Sequence, residues 1–273
     1  MIDTTRLFVT PPDDAASQAV HDRLGDDSGY GRLVELAALL AGAGLGSPTR
    51  PVLLRPTQPG RGADPAAGLA DRARVVLRDV AVPETVEDAF AAGLAAVDAE
   101  VDAGADLLLI AGGDGHETMA RAGVGVLTGS EPVHLVSWPA AGGDQQWMTD
   151  VVAVRDARRR AAQHNDEPQR LLGDLGDCTV AVVVGMLLQA AVRRTLVVLD
   201  GVVVGGAAMV AHRLSPHALA WWVAADRSLD PTLTLVQAQL GVECVLDLDL
   251  RVSDGTAALL AADLLAGAST ITG

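Results

Sequence analysis

The sequence predicts an α/β fold built on a parallel sheet that is covered by helices on both faces. Short β-rich runs alternate with Ala/Leu-rich runs of helical length along the 273-residue chain, and this alternation favours a parallel sheet. Segment 106–111 (DLLLIA) is continuously apolar, which is typical of a strand buried on both faces. Hydrophobic residues make up 49% of the chain and aromatic residues only 3%, so we expect a large core of Ala, Val and Leu.

Helices are predicted where apolar residues recur at helical spacing. In segment 31–42, Leu33, Leu36 and Leu40 lie on one face. Pro83 suits the first turn of a long helix, because it lacks the N–H group that this turn leaves unpaired. The predicted helices are 31–42, 83–103, 118–127, 145–163, 177–191, 204–214, 231–240 and 255–266.

Strands are predicted from short runs of branched aliphatic residues that end in turn-forming residues. They are 74–82, 106–111, 133–138, 195–199, 219–224 and 244–248. Segment 47–71 is rich in Pro and Gly, and we expect an extended connection there with at most one short strand.

The charge balance excludes several classes of function. All twenty basic residues are Arg, against 35 acidic residues, which gives a net charge of −15. A chain without Lys cannot use Schiff-base or P-loop lysine chemistry, and an acidic chain without basic clusters suits neither nucleic acid nor an anionic membrane. Cys178 and Cys244 lack the spacing of zinc ligands, so we expect no metal and no cofactor.

The sequence also predicts a cytoplasmic protein without a membrane partner. The N-terminal stretch MIDTTRLFVTPPDD lacks the basic start and apolar core of a signal peptide. The longest apolar run, 180–188, is far shorter than the ~20 residues that a membrane-spanning helix needs.

Turns that follow predicted strands are candidate ligand sites, because ligands of parallel α/β sheets bind beyond the carboxyl ends of the strands. Turn 112–115 (Gly-Gly-Asp-Gly) lies before a helix N-terminus, where backbone N–H groups and the helix dipole favour a phosphate. The alternative is a tight turn that needs glycine dihedral angles. Asp200 ends a buried strand, and Asp254 precedes the last helix. Either carboxylate could instead cap the helix that follows it.

Taken in order, these turns resemble those of nicotinate-nucleotide:dimethylbenzimidazole phosphoribosyltransferases. Over 171–265 the similarity lies in LGDLGDCTVAVVVGMLLQAA, LVVLDGVVVGGAAMVAHRLSP, AADRSLDP and LGVECVLDLDLRVSDGTAALLAADLL. Segment 28–36 (SGYGRLVEL) is similar to the family's amino-terminal Gly-x-Leu-x-x-Leu helix start. Segment 92–129 resembles the family's helix, strand and phosphate turn.

The resemblance implies a Rossmann-like domain at 47–250 and a small helical subdomain made from 1–46 and 251–273. It also implies a homodimer, and a reaction in which an aromatic nitrogen base attacks C1′ of nicotinate mononucleotide and nicotinate leaves. Asp254 matches the family's catalytic Glu in a Gly-Glu-Gly-Thr-Gly turn. The implied substrate-binding residues are Gly112, Gly113, Asp114, Gly115, Thr118, Asp200, Gly201, Arg227, Ser228, Ser253 and Gly255.

Departures from the family pattern leave two alternatives open: an active phosphoribosyltransferase with an altered acceptor, which the retained turns at 200–201, 227–228 and 254–256 favour, and a non-catalytic paralogue. The phosphate turn Gly-Glu-Met-Gly-Ile-Gly-Asn-Thr-Thr is shortened at 112–118, where Glu117 adds negative charge. The phosphate-contacting Lys has no counterpart, and 51–71 replaces the acceptor-binding block. These departures favour a non-catalytic paralogue that binds a nucleotide or a partner subunit. A minor alternative is an NAD or lipid kinase of the Gly-Gly-Asp-Gly type, in which Asp114 would serve phosphoryl transfer.

Overall fold

The computed structural model describes residues 7–25, 29–57, 65–113, 115–138, 142–164 and 166–272. Within these ranges, six parallel strands form one sheet in the order β2-β1-β3-β4-β5-β6. The strands are β1 (Pro51–Thr57), β2 (Val76–Ala81), β3 (Leu107–Ala111), β4 (Leu196–Asp200), β5 (Trp222–Asp226) and β6 (Cys244–Leu246). The predicted α/β fold with a parallel sheet is therefore confirmed.

The helices of the described residues alternate with the strands over much of the chain, but two of them precede β1 and four follow one another between β3 and β4. They are α1 (Asp14–Leu24), α2 (Leu33–Gly42), α3 (Pro65–Arg72), α4 (Val86–Asp102), α5 (Glu117–Thr128), α6 (Gly143–Ala161), α7 (Pro168–Leu175), α8 (Cys178–Val192), α9 (Val202–Leu214), α10 (Pro231–Leu240) and α11 (Thr256–Ser269). Side-chain caps begin several of them. Thr85, for example, accepts the Asp88 N–H group at the start of α4.

The sheet is buried on both faces. In β3, Leu108 and Ile110 belong to one core cluster, which includes side chains of α4, α5, α8 and α9. Leu107 and Leu109 belong to the other, which includes side chains of α2, α3 and α11. All four leucine and isoleucine side chains are fully buried. Since successive strand residues point to opposite faces, this burial explains why β3 is continuously apolar.

Helices α4 and α8 approach each other at glycines. A Cβ atom on Gly93 would lie 2.1 Å from the carbonyl oxygen of Val182, and one on Gly185 would lie 2.3 Å from that of Phe90. Each glycine thus faces the backbone of the opposite helix. The two helices therefore pack closely through small residues, with α4 also against β2 and α8 against β1 and β4.

Segment 133–138 is not the strand that the sequence predicts. A short 3-10 helix, Pro132–His134, opens it, and irregular backbone follows. The carbonyl oxygen of Leu135 accepts hydrogen bonds from the side chains of Arg121 and Thr232. Because these side chains occupy the Leu135 carbonyl, it does not pair with a neighbouring strand. The apolar segment therefore lies outside the sheet, although it has the length of a strand.

Segment 47–71 contains more regular structure than predicted. It holds the seven-residue strand β1 and most of α3, and β1 lies between β2 and β3. The sequence predicts this strand poorly because it contains two prolines, which are uncommon within strands. Pro51 is its first residue, and Pro56 lies beyond the four residues that pair with β3, so a missing N–H group is tolerated there.

The amino- and carboxyl-terminal helices meet on one side of the sheet. Helix α1 packs against α2, and α2 packs against α11. Helix α11 also packs against β3, β4, β5 and β6. The division into domains at residues 46 and 250 stays a prediction.

Replacing Gly185 with alanine is expected to lower the free energy of unfolding by about 2 kcal/mol, because the new methyl group would overlap the Phe90 carbonyl. Gly173→Ala is the matched control. It lies in α7, a Cβ atom there would meet nothing within 4 Å, and alanine should stabilise a helix interior by up to about 1 kcal/mol. Urea unfolding followed by circular dichroism measures both variants. Equal stabilities would contradict the glycine contact.

Candidate functional site

A cavity of about 420 Å³ opens at the carboxyl ends of β4 and β5. Its volume suits a small molecule, and its position is the one expected of ligand sites in parallel α/β sheets. The walls come from the ends of these two strands, the first turns of α5, segment 136–138, helices α6 and α10, and segment 250–253.

Asp200, the last residue of β4, lies in the floor of this cavity. Its side chain is buried, and its carboxylate accepts the Ala258 N–H group at 3.3 Å, near the start of α11. Burial is the main cause that raises the pKa of Asp200 to about 7; the charges of Asp254 and Asp226 act in the same direction, and the Ala258 and Gly255 N–H groups act against it. A carboxyl group with this pKa can exchange a proton near neutral pH.

Segment 253–256 lies against the turns that follow β3 and β4. The Ser253 carbonyl accepts the Gly113 N–H group at 3.0 Å. A Cβ atom on Gly201 would lie 2.4 Å from the Ser253 Oγ atom, and Gly201 has φ +89°, so this position needs glycine. Asp254 is buried and accepts the Thr256 N–H group through Oδ1 at 2.9 Å. Asp254 therefore pairs the first N–H group of α11, but the N-cap residue of this helix is Gly255, which makes no side-chain cap bond.

In the turn before α5, one backbone N–H group already has a hydrogen-bond partner within the protein. Gly113 and Gly115 have φ +69° and +93°, as expected of a tight turn that needs glycine. The Gly115 N–H group donates to Glu117 Oε2 at 2.9 Å, so one donor that could face an anion already has a carboxylate partner. Asp114 lies outside the described residues.

His116, the residue before α5, is bound to α8 rather than directed into the cavity. Its Nδ1 atom lies 3.0 Å from Asp177 Oδ2, and its Nε2 atom lies 3.3 Å from Thr179 Oγ1. The hydrogen bond to Asp177 raises the pKa of His116. This contact fixes the start of α5 relative to α8.

A largely buried ion pair between Arg121 and Asp230 supports the cavity wall that α5 and the start of α10 form. Arg121 Nη1 and Nη2 donate to Asp230 Oδ1 and Oδ2 at 2.9 and 2.7 Å. Asp230 also caps α10 by accepting the Thr232 N–H group at 2.9 Å, and Ser137 Oγ donates to it. Burial acts to raise the pKa of Asp230, but the Arg121 guanidinium, the Ser137 hydroxyl and the Leu233 N–H group together outweigh this effect and lower it.

Asp226, the last residue of β5, holds the loop over the cavity. Its two carboxylate oxygens accept the N–H groups of Leu248 and Leu250, each at 2.7 Å. The next residue, Arg227, is exposed, and its Nε atom lies 3.4 Å from Asp247 Oδ2. The Ser228 Oγ atom accepts the Asp230 N–H group at 3.1 Å.

A family model described as "Phosphoribosyltransferase" matches residues 72–273. The chain belongs to this phosphoribosyltransferase family. Among curated relatives, the nicotinate-nucleotide–dimethylbenzimidazole phosphoribosyltransferases of Mycobacterium avium and Mycobacterium ulcerans are 42% and 43% identical over 196 and 197 residues. These matches cover 71% and 70% of this chain but only 56% and 55% of the relatives. The chain thus spans about half the length of the curated relatives that it matches.

A solved structure has the same fold. The crystal structure of CobT from Thermus thermophilus superposes with a TM-score of 0.82 over 94% of this chain and 95% of that chain, at 23% sequence identity. The family resemblance drawn from the strand-end turns is confirmed. The match favours the phosphoribosyltransferase interpretation over the kinase alternative, because it extends from residue 72 to residue 273 and not over the glycine turn alone.

The predicted site residues of this phosphoribosyltransferase fold divide into two groups. Those that line the cavity are Thr118, Asp200, Gly201, Ser228 and Ser253. Those that are described but stand outside its lining are Gly112, Gly113, Gly115, Arg227, Asp254 and Gly255. The sequence does not identify Arg121, and the only signal for Asp230 is its place before Pro231, which is typical of a helix cap.

The part of the chain that the structure describes contains no cluster of three or more His, Cys, Asp or Glu side chains arranged to hold a metal ion. None of the helices described is long and apolar enough to cross a membrane.

Asp200→Asn is expected to flatten the pH dependence of stability. The folded-state pKa of about 7 lies above the ordinary value of 3.8, so the folded protein binds more protons between these values and loses stability as pH rises through them. Relative to the parent protein, the variant should gain roughly 3 kcal/mol between about pH 5 and about pH 8. Urea unfolding at both pH values measures the gain. Asp263→Asn, at an exposed position of α11, is the control, and an equal gain there would refute the assignment to Asp200.

Proposed function

We propose that the protein transfers phosphoribose from nicotinate mononucleotide to an aromatic nitrogen base and releases nicotinate. The observation that carries the proposal is the cavity at the ends of β4 and β5, where Asp200, Ser228 and Ser253 come together in a member of the phosphoribosyltransferase family. The curated relatives are named for a nicotinate nucleotide and dimethylbenzimidazole, which supports these two substrate classes.

Asp254 is the proposed base. As the acceptor nitrogen attacks C1′, the bond from C1′ to the pyridinium nitrogen breaks, and its electron pair neutralises that nitrogen in the departing nicotinate. The proton of the acceptor ring passes to Asp254. The Thr256 N–H group fixes the carboxylate through Oδ1, and Asp254 is close enough to Asp200 for its charge to raise the pKa of Asp200. Aspartate retains the chemistry of the family's glutamate but reaches one methylene less.

The strand-end turns are the proposed substrate contacts. Residues proposed to contact the nucleotide are Gly112, Gly113, Asp114, Gly115, Thr118, Asp200, Gly201, Arg227, Ser228, Ser253 and Gly255. For the residues that the structure describes, support comes from their position in the turns after β3, β4 and β5, at the start of α5 and before α11, because ligands of parallel sheets bind beyond the strand ends and helix N-termini favour an anion. Arg251 also lines the cavity and is a cation that can replace the absent lysine at a phosphate.

The non-catalytic alternative has one observation in its favour, since the chain matches only about half the length of its curated relatives. The implied homodimer stays a prediction. Size-exclusion chromatography with light scattering tests it directly, because a dimer has twice the 28.0 kDa mass of the chain.

Incubation with nicotinate mononucleotide and benzimidazole is expected to release nicotinate, measured by liquid chromatography. Asp254→Asn should lower kcat by at least about 100-fold, because general bases contribute ~10²–10⁴-fold, while the Thr256 N–H group can still bind the amide oxygen. Asp263→Asn is the control for loss of one carboxylate from the same part of the chain. Release of nicotinate by neither the parent protein nor the control, with benzimidazole or other azole acceptors, would favour the non-catalytic alternative.

A further inference from the structure

One tryptophan of the chain differs from the others in its exposure. Trp221 and Trp222 are buried and Trp147 is half-buried, whereas 58% of the Trp138 surface is accessible. Trp138 also lines the cavity at the ends of β4 and β5. A large exposed aromatic side chain at a cavity is typical of a binding surface, because its apolar area is covered only when a ligand arrives.

The three residues before Trp138 are each held in place by a hydrogen bond. The Leu135 carbonyl accepts from Thr232 Oγ1 at 2.6 Å. The Val136 carbonyl accepts from Trp147 Nε1 at 3.3 Å, and the Ser137 hydroxyl donates to Asp230. Because these bonds tie the segment to α6 and α10, Trp138 projects from a fixed backbone, and little ordering is needed when a ligand binds.

The two indole rings of this wall contact each other. The ring centroids of Trp138 and Trp147 are 5.6 Å apart with an angle of 31° between the planes, which lies within the range of favourable aromatic pairs. Trp147 is itself packed against the main core cluster. Trp138 thus rests on a supported ring while more than half of its surface faces outward.

The cavity walls differ in polarity. Segment 136–138 and α6 contribute the apolar surface of Val136, Trp138 and Val154, together with the polar side chains of Ser137 and Asp150. The strand ends and segment 253 contribute carboxyl and hydroxyl groups from Asp200 and Ser253. Ribose hydroxyls match the polar wall, and a flat, largely apolar ring matches the apolar one.

We propose that Trp138 binds the acceptor base by stacking its indole on the planar ring of the aromatic nitrogen heterocycle. The proposal deepens the transferase function and rests on it for the identity of the second substrate. No described residue of segment 51–71 lines the cavity, whereas Trp138 does. Trp138 is thereby a specificity-determining residue that selects flat bicyclic or monocyclic azoles over non-planar amines.

The test compares Trp138→Ala and Trp138→Phe with Phe8→Ala. Phe8 is 88% exposed and does not line the cavity, so it controls for loss of an exposed aromatic ring. Calorimetry measures binding of benzimidazole alone, and steady-state assays measure KM for benzimidazole and for nicotinate mononucleotide. Trp138→Ala should weaken benzimidazole binding and raise its KM by about tenfold. Trp138→Phe should recover most of the loss, and KM for the nucleotide should not change.

The outcomes separate this proposal from the transferase function. If benzimidazole binds in a Trp138-dependent way but no nicotinate is released, stacking on Trp138 is supported and the proposed transfer of phosphoribose is contradicted. Absence of benzimidazole binding to the parent protein, or unchanged binding to Trp138→Ala, would overturn the proposal that the base stacks on Trp138. A KM change for the nucleotide alone would also overturn it, as would a changed oligomeric state of Trp138→Ala, because Trp138 would then contact the donor or a second copy of the chain.

Discussion

Hydrogen bonds from backbone N–H groups to two strand-end carboxylates hold the candidate site together. Asp226, at the end of β5, accepts the N–H groups of Leu248 and Leu250. Asp200, at the end of β4, accepts that of Ala258 in the first turn of α11. The segment between these donors contains Arg251 and Ser253, which form one wall of the cavity. The cavity therefore depends on carboxylates that bind backbone as well as on any that bind substrate.

The two carboxylates are solvated by the protein to different extents. Asp226 has two backbone bonds of 2.7 Å, whereas Asp200 accepts the Ala258 N–H group at the longer distance of 3.3 Å, and the Gly255 N–H group only partly offsets its burial. A buried carboxylate needs such donors to replace water, and where they are insufficient the neutral form is favoured. The raised pKa of Asp200 is the result. The Asp226 carboxylate at the end of β5 is thus held by two short backbone bonds. Asp200 at the end of β4 can carry a proton near neutral pH.

The sequence could predict features that depend on local pattern. Continuous apolar runs identify β3 and β4, and glycines with positive φ mark the turns after β3 and β4. It could not predict the ion pair between Arg121 and Asp230, because these residues are 109 positions apart and nothing near either one specifies its partner. The failure at 133–138 has the same cause, since a side chain of α5 and one of α10 take the Leu135 carbonyl away from strand pairing.

The position of Trp138 follows from that failure. A strand over 133–138 would point alternate side chains to opposite faces of the sheet and would bury the aromatic ring. The irregular segment instead carries Trp138 to the cavity mouth, with 58% of its surface accessible. A pattern of apolar residues describes how much surface a segment can bury, but hydrogen bonds from distant residues decide whether it does so.

The charge of the cavity limits how an anionic nucleotide can bind. Carboxyl groups of Glu117, Asp200 and Asp230 line it, and the guanidinium of Arg121 is already paired with Asp230. The phosphate of the proposed nucleotide would therefore rely on backbone N–H groups and on Arg251, which is exposed and pairs with Asp249 at 3.2 Å. Under these conditions the protonated form of Asp200 favours binding, because it removes one negative charge from the floor of the cavity. Ionisation of Asp200 above about pH 7 restores that charge, so the buried carboxylate that destabilises the fold at high pH also opposes anion binding there.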